Sequence, residues 1–390
     1  MLDLVVRCQG QNVVAVPQFP PEATVDRVVF AELNMAGANV RRLTSDDFLK
    51  LRMRRLVLTG NQLGGGLSEY AFSSLGVHLT SLMLGACAIR TLPARLMVDL
   101  PQLRVVHLWS NHIENIPDNF FMSNSALHEL SLWGNRLQTI QNRTFFGLVR
   151  LRILDLDRNR ISTLERGVLS HVSGTLEVLR LSSNNIYALS ESTFSILSQL
   201  RILILASNRL RFVDARTFVG LSRLQSLSLA NNRIQFLADG AFDDLVRLRT
   251  LDLSGNRLER IWAGTFVGLG SLSSIDLSRN SLRRLPEATF GRSPALRRIV
   301  LDDNRLSTLG RCTLSSRATI RSISLIGNAV ECDCRLAWIG RLDEASATSI
   351  LGSCVAGGAR QRRAMLPVYK SDSYADPHSC VLQSHQSCLV

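Results

Sequence analysis

A phrase of the form LxxLxLxxN recurs along most of the chain at intervals close to 24 residues. A fixed period of this length constrains the fold more than any local propensity, because each copy must adopt the same short structure and stack on its neighbours. The two inner leucines predict a short strand with both side chains buried, and the asparagine predicts a turn. This closing position is the ladder residue; it is occupied by Asn61, Cys87, Asn111, Asn135, Asn159, Asn184, Asn208, Asn232, Asn256, Asn280, Asn304 and Asn328.

The segment that returns from each strand carries its own signal, a Phe ten residues after the ladder residue. These rings predict a stacked aromatic spine, and Met97, Leu169 and Leu314 take the position where Phe is missing. The seven rings are Phe121, Phe145, Phe194, Phe218, Phe242, Phe266 and Phe290. The glycine run 64–66 is not followed by Lys and Ser or Thr, so it predicts an insertion in a turn rather than a phosphate-binding loop.

The phrase and its spacing resemble those of leucine-rich repeat proteins. The resemblance implies an α/β-type solenoid with a curved parallel β-sheet on the concave face, loops and short helical turns on the convex face, and a disulfide-capped C-terminus. We divide the chain into residues 1–24, the remnant of an N-terminal cap; residues 25–330, one degenerate and twelve regular repeats; and residues 331–390, a cysteine-rich C-terminal cap and tail.

Both ends resemble the caps of extracellular repeat proteins. Near the start, Cys8 is followed by a proline-containing segment, and after the last phrase come a Cys-Asp-Cys sequence and Trp338. The resemblance implies the disulfides Cys332–Cys354 and Cys334–Cys380, while spacing alone leaves three pairings open. Zinc ligation is an alternative, although no matching histidine spacing accompanies these cysteines. Cys8, Cys312 and Cys388 have no assigned partner, and Cys87 is expected to be buried in place of an asparagine.

Disulfides persist in oxidising compartments, so the caps predict an extracellular or cell-surface protein. Asn142 begins the single Asn-X-Thr sequon and is the expected glycosylation site. No apolar run reaches the roughly 18 to 20 residues of a membrane span, and the first residues do not read as a secretory signal. We therefore expect a piece of a longer protein, with any membrane anchor outside it.

The whole chain resembles the extracellular repeat modules of Toll receptors, Slit proteins, the Nogo receptor and the neurotrophin receptors. Those modules bind proteins, and in some cases glycans, through the concave face or an edge. The resemblance implies a protein-recognition module, the ligand-binding ectodomain of a receptor or a secreted guidance or immune factor. Fold alone does not choose among these relatives or name the ligand.

Residues that alternate with the inward leucines face the concave side of the predicted sheet. In the N-terminal half this surface carries two tryptophans, branched aliphatic residues and charges of both signs, and exposed tryptophan is typical of binding hot spots. The alternative is that the two rings only stack on each other and shield the sheet. The predicted ligand-binding residues are His107, Trp109, Glu129, Trp133, Ile153, Asp155, Asp157, Arg180, Ile202 and Ile204.

Two of these charges, Asp155 and Arg180, fall in one column of adjacent strands and are expected to pair. Asp155 and Asp157 supply too few ligands to predict a metal site. His107 lies near Glu129, but no nucleophile with a base and an oxyanion pocket stands beside them. We therefore predict no enzyme, no metal and no cofactor.

The net charge of +13 comes almost entirely from arginine, because Lys50 and Lys370 are the chain's lysines. Two lines of arginines border the predicted sheet, one seven residues before the ladder residue and the other just after it. Both lines favour solvated edges that keep the protein soluble. The alternative is a matrix or adhesion protein that binds sulfated glycans through Arg201, Arg249 and Arg297 of the first line. Aromatic residues do not interleave with these lines, so nucleic acid is not expected.

Overall fold

The computed structural model describes residues 5–8, 10, 12–17, 30–49, 51–165, 167–191, 193–310, 313, 319–331, 349–355 and 362–364. The chain forms two compact units, Met1–Leu200 and Arg201–Val390. Both are built from the predicted turns of a parallel β-sheet solenoid, about 13 in all, with almost no helix among the described residues.

The first unit contributes one short strand per repeat to a parallel sheet, with neighbours in the order of the sequence. Three short 3₁₀ helices, Ser45–Phe48, Ser73–His78 and Ser170–Val172, lie in the returning segments. The strands are β1 (Val5–Arg7), β2 (Phe30–Asn34), β3 (Met53–Val57), β4 (Ser81–Met83), β5 (Val105–His107), β6 (Glu129–Ser131), β7 (Ile153–Asp155) and β8 (Val178–Arg180).

The second unit repeats this arrangement and adds two small sheets. Its main parallel strands are β9 (Ile202–Ile204), β11 (Ser226–Ser228), β13 (Thr250–Asp252), β14 (Ser274–Asp276), β15 (Arg298–Val300), β16 (Ser322–Ser324) and β17 (Ser349–Leu351). Strands β10 (Phe212–Val213) and β12 (Phe236–Leu237) pair in parallel in the returning segments. Strands β18 (Ser353–Val355) and β19 (Arg362–Ala364) pair antiparallel.

The ladder asparagines connect each turn to the one before it. The buried amide of Asn232 donates to the carbonyl oxygens of Leu205 (2.9 Å) and Leu229 (3.0 Å) and accepts from the backbone N–H of Leu210 (3.1 Å). The same set of contacts recurs at other ladder asparagines, for example at Asn135. Because a buried unpaired backbone group is costly, this side chain fixes both the turn and its distance from the preceding repeat.

Cys87 fills a ladder position with a thiol instead of an amide. Its Sγ lies 3.1 Å from the carbonyl oxygen of Leu58 and 3.3 Å from that of Gly85, and the side chain is fully buried. Burial raises the pKa of this thiol to about 11, which leaves it protonated and able to donate at neutral pH. The prediction of a buried structural cysteine is confirmed.

The predicted aromatic spine forms the interior of the second unit. The ring centroids of Phe218 and Phe242 are 6.0 Å apart, those of Phe242 and Phe266 are 6.0 Å apart, and those of Phe266 and Phe290 are 5.6 Å apart, with interplanar angles of 12°, 19° and 11°. In the first unit Met97 is likewise buried where phenylalanine is missing. Leu314, the corresponding substitute in the second unit, lies outside the described residues.

At both ends the sheet continues into segments that the sequence assigned to caps without a strand. Val5–Arg7 pairs with β2, and the N–H of Cys8 donates to the carbonyl oxygen of Asn34 (2.8 Å). Ser349–Leu351 pairs with β16. Cys312, Cys332, Cys334, Cys380, Cys388 and the side chain of Cys354 lie outside the described residues, so the disulfide pairing stays a prediction. No helix in the described part of the chain has the length and apolarity to cross a bilayer.

Candidate ligand-binding face

The candidate site lies on the outward face of strands β4 to β8 in the first unit. Successive residues of these strands alternate between the core, where Val106, Leu130, Leu154 and Leu179 are fully buried, and the surface. The surface formed by residues two, four and six positions before each ladder residue is called the open face. On it the register aligns His107 with Ser131, Ser131 with Asp155, and Asp155 with Arg180.

The indole of Trp109 lies flat against the backbone of the preceding repeat at Gly85. A Cβ placed on Gly85 would come closer than 3.0 Å to three atoms of the indole, so the position of the ring depends on the missing side chain. Trp109 is partly buried, so part of its side chain remains on the surface. The absence of a side chain at Gly85 therefore leaves the space that the indole occupies.

Trp133 occupies the same column one repeat later but has a different neighbour. The guanidinium carbon of Arg158 lies 5.2 Å from the centroid of the Trp133 ring, within the range of a cation–π contact. Arg158 has a φ of 53°, the left-handed conformation that also occurs just before the ladder residue at Ser110, Ser183 and Ser207. The turn thus directs the arginine side chain back over the sheet. Each tryptophan has its own support, Gly85 for one and Arg158 for the other.

His107 and Glu129 form a polar contact beside the tryptophans. The Nε2 of His107 lies 3.0 Å from Oε1 of Glu129, and the side chains are 22% and 38% exposed. When the imidazole is protonated this contact becomes an ion pair. The arrangement holds a carboxylate at the surface, where a ligand cation or donor could reach it.

Asp155 and Asp157 form an acidic pair that the fold places in a partly buried position. Burial raises the pKa of each carboxyl above its ordinary value, more than hydrogen bonds and the positive charge of Arg180 lower it. Asp155 accepts from the N–H of Asp157 (3.0 Å), and Asp157 accepts from the N–H of Ser182. No cluster of three or more His, Cys, Asp or Glu residues suited to a metal occurs in the described part of the chain.

The remaining predicted site residues fall in two places. Ile153, half-exposed, and Arg180, exposed, lie on β7 and β8 of the first unit with the residues above. Ile202 and Ile204 lie on β9 of the second unit, where both are partly exposed. The cluster that the first unit brings together therefore consists of the tryptophans, the His107–Glu129 contact, the acidic pair, Ile153 and Arg180.

Two residues of this cluster were not found from the sequence. Gly85 stands in the same column as Trp109 one repeat earlier, and a glycine beside a bulky aromatic residue is the signal that could have identified it. Arg158 could have been placed from Gly60, Gly134 and Gly255, which occupy the equivalent position with positive φ. Those glycines indicate a left-handed turn that redirects the following side chain.

The other predicted sites lie away from this face. Asn142 is exposed in a turn, and the hydroxyl of Thr144 in the same sequon accepts from the N–H of Gln141 (3.2 Å). The side chains of Arg201, Arg249 and Arg297 are exposed at the start of strands in the second unit. Their backbone carbonyls take part in the sheet; that of Arg249, for example, accepts from Ser273 (2.9 Å).

Comparison with known proteins agrees with this architecture. The sequence profile of the family described as leucine rich repeat matches residues 101–161, 125–174, 174–234, 198–258, 222–282, 247–306 and 271–330. Together these matches cover more than half of the chain. The chain belongs to the leucine-rich repeat family. No curated protein matches it.

Several solved structures share the fold. TLR13 in a complex with ssRNA13 is 24% identical, with a TM-score of 0.76 over 86% of this chain and 49% of the other. A leucine-rich repeat protein of Leptospira interrogans is 22% identical, with a TM-score of 0.65 over 89% of each chain. A chain of the Drosophila Toll–Spatzle complex is 17% identical, with a TM-score of 0.59 over 89% of this chain and 64% of the other. The protein thus spans about half the length of the TLR13 chain, and at these identities the likeness concerns the fold.

Proposed function

We propose that this leucine-rich repeat protein is an extracellular recognition module that binds a protein ligand through the open face of its first unit. The observation that carries the proposal is the pair of partly exposed tryptophans in one column of the sheet, one packed against Gly85 and the other in contact with Arg158. Tryptophan and arginine are enriched among the residues that dominate binding energy at protein interfaces, and tryptophan offers a large contact at low cost in side-chain entropy. A rigid sheet that already positions them loses little order on binding.

The charged groups around the tryptophans supply selectivity. Asp155 and Asp157 keep raised pKa values because the fold partly buries both carboxylates side by side. Perturbed carboxylates of this kind are commoner at functional sites than elsewhere on a surface. A ligand with cationic groups would relieve their repulsion, and Arg180 and Glu129 would orient it.

The extracellular location rests on the cysteine pattern of the ends and on the Asn142 sequon. It is supported by the shared fold of TLR13, solved with ssRNA13, and of Toll, solved with Spatzle. We also keep the three-part division into residues 1–24, 25–330 and 331–390 as part of the proposal. In this scheme the chain is the ligand-binding part of a receptor or a secreted guidance or immune factor.

The test compares three single variants, Trp109→Ala, Trp133→Ala and Gly85→Ala, with the unaltered chain as immobilised baits. The alanine at Gly85 leaves Trp109 in place chemically but forces its ring to move. Proteins retained from conditioned medium and solubilised membranes are quantified by mass spectrometry, and the affinity of each is then measured. The matched control is Ser226→Ala with Ser278→Ala, at open-face positions of the second unit.

We expect at least one protein to be retained by the unaltered chain and by the control but lost with all three variants. Each tryptophan replacement should cost about 2 kcal/mol or more of binding free energy, the usual hot-spot threshold. Thermal unfolding should change little, because neither ring enters the leucine core. Reduced stability together with intact binding would make the rings structural and would refute the proposed site.

A second candidate function is binding of sulfated glycans through the arginine edges of the second unit. The observation that favours it is the regular exposure of arginines at the strand starts, with Arg249 and Arg297 both exposed. Neighbouring strands of a sheet are about 4.8 Å apart. Arg201, Arg249 and Arg297 precede alternate strands, so the line presents a charge roughly every 10 Å to a linear polyanion. In this case the protein would be a matrix or adhesion protein.

Heparin chromatography tests this second candidate. Charge reversal at Arg201, Arg249 and Arg297 should lower the salt concentration needed for elution, because exposed charge–charge contacts are screened by salt. The matched control reverses Arg233, Arg257 and Arg305 on the opposite edge, an equal change in net charge. If the two triple variants have equal effects, or none, neither line binds heparin specifically, and both are solvated edges of the sheet.

A further inference from the structure

The second unit exposes three large aromatic side chains on the segment that follows the ladder residues. Phe212, Phe236 and Trp262 are 47%, 47% and 46% exposed. Their neighbours Val213, Leu237 and Ile261 are buried, so the chain alternates and turns the aromatic residues outward. The rings therefore contribute little to the core. This surface, residues 209–214, 233–238, 257–262 and 281–284, is called the loop flank.

The backbone under these aromatic residues is fixed. Phe212 and Phe236 are register partners in β10 and β12, and Gln235 donates its N–H to the carbonyl oxygen of Arg211 (2.8 Å). The N–H of Trp262 donates to Oγ1 of Thr265 (3.1 Å). A surface on a rigid scaffold loses less conformational entropy on binding than a flexible loop would. The loop flank is thus ordered before any partner arrives.

A recess of about 570 Å³ opens in the loop flank between Phe236 and Trp262. Its volume falls in the range of roughly 300–1,000 Å³ that is usual for binding pockets. Such a recess has room for one or two bulky side chains. It is lined by Gln235, Phe236, Arg257, Glu259, Arg260, Trp262 and Ser281.

The charges of the residues around the recess indicate which charge a partner would carry. Arg257 and Arg260 line the recess with a single carboxylate, that of Glu259, and none of the three makes an ion pair within 4.0 Å with a described residue. Exposed arginines surround the recess: Arg209, Arg211, Arg233, Arg283 and Arg284. An incoming carboxylate would therefore meet guanidinium groups that are not already neutralised.

We propose that the recess anchors an acidic segment of a partner protein. A large apolar or aromatic side chain of that segment would insert between Phe236 and Trp262, and carboxylates on either side of it would contact Arg257 and Arg260. The combination of tryptophan, phenylalanine and arginine in a fixed recess is the composition of a protein-interface hot spot. This surface lies on the second unit and does not depend on the open face of the first.

The test uses fluorescence anisotropy with the labelled peptide Glu-Asp-Glu-Phe-Glu-Asp-Glu at physiological ionic strength. A second peptide with Ser in place of Phe has the same charge and isolates the contribution of the ring. Trp262→Ser and Arg260→Glu remove the aromatic wall and one cation separately. The matched control is Val246→Ser with Arg247→Glu, a pair of similar exposure on the other side of the same unit.

We expect the Phe peptide to bind more tightly than the Ser peptide. Each recess variant should weaken binding of the Phe peptide by about tenfold or more. The control pair and the Trp109→Ala variant should leave binding unchanged, which separates this proposal from that for the first unit. Thermal melts establish that each variant is folded; because Trp262 and Arg260 are both exposed, we expect no large change.

Three results would overturn the proposal. The first is failure of the Phe peptide to bind. The second is equal binding of the two peptides, since the contact would then be purely electrostatic. The third is preferential binding of a heparin octasaccharide or an oligothymidylate that competes with the peptide and is insensitive to Trp262→Ser, since the loop flank would then be a surface for linear polyanions.

Discussion

At the scale of single residues, the carboxyl of Asp157 lies in an environment that disfavours its charged form. Its pKa is raised chiefly by burial, and also by the neighbouring charge of Asp155. A raised pKa means that the folded protein binds this proton more tightly than the unfolded chain, so the charged carboxylate destabilises the fold. Natural proteins retain such groups mainly where function requires them.

Asp157→Asn should therefore stabilise the protein at neutral pH, because an amide oxygen can still accept from the N–H of Ser182. The sign follows from linkage: stability contributed by this group falls as pH rises from the ordinary value of 3.8 through the raised folded pKa. The advantage of the variant should be complete above that pKa and absent below pH 3.8. Thermal melts across this range measure it, and a lower melting temperature for the variant at neutral pH would contradict it.

The sequence predicts the positions of residues that have the same role in successive repeats. It does not predict the positions of residues whose contacts occur only once. Asn232 and its equivalents could be placed because the same buried hydrogen bonds recur at one ladder asparagine after another. The packing of Trp109 against Gly85 could not be predicted from the sequence, because it depends on one missing Cβ and on the side-chain rotamer. Phe236 and Trp262 do not follow the arginine spacing, so the arginine pattern does not reveal them. The prediction that no aromatic residues interleave with these arginines is wrong for the loop flank.

At the scale of elements, the returning segments are more regular than the scarcity of helix among the described residues suggests. Strands β10 and β12 form where two successive repeats place phenylalanine, a residue with high strand propensity, at equivalent positions before Val213 and Leu237. In the next repeat the equivalent pair is Arg260-Ile261, and no strand continues there. Local propensity therefore decides the returning segment, while the repeat decides the main sheet.

The phenylalanine spine gives a prediction at this scale. Phe242 lies between Phe218 and Phe266 with centroids 6.0 Å away on both sides, and it is fully buried. Phe242→Ala should destabilise the protein by about 3–5 kcal/mol through loss of buried area and creation of a cavity. Phe242→Leu should cost clearly less, because Leu169 fills the equivalent position with only 2% exposure. Denaturant unfolding of the two variants provides the comparison. Equal losses would show that the volume kept by leucine does not help and that the stabilisation comes from the aromatic ring itself.

At the scale of the whole molecule, a solenoid has two ends whose apolar faces and strand edges need cover. In the second unit the sheet extends past the last regular repeat to β17, which pairs with β16. Cysteines lie on both sides of β17 in the sequence, and the family resemblance implies the disulfides Cys332–Cys354 and Cys334–Cys380. Removing a native disulfide typically costs about 2–5 kcal/mol. In a repeat protein, where contacts are made mainly between neighbours, that loss should be local.

Peptide mapping of protein recovered from an oxidising compartment should identify these two disulfides under non-reducing conditions. Reduction should then increase amide hydrogen exchange most in β17 and β16 and progressively less in β15 and β14. The effect should decline with distance because each repeat is stabilised only by contacts with its neighbours. Strands β5 to β7 of the first unit serve as the internal control and should keep their protection. Four free thiols would refute the pairing. Equal loss of protection in β16 and in β5 to β7 would instead show that the solenoid unfolds as one cooperative body, so that the cap stabilises the entire chain and not just its end.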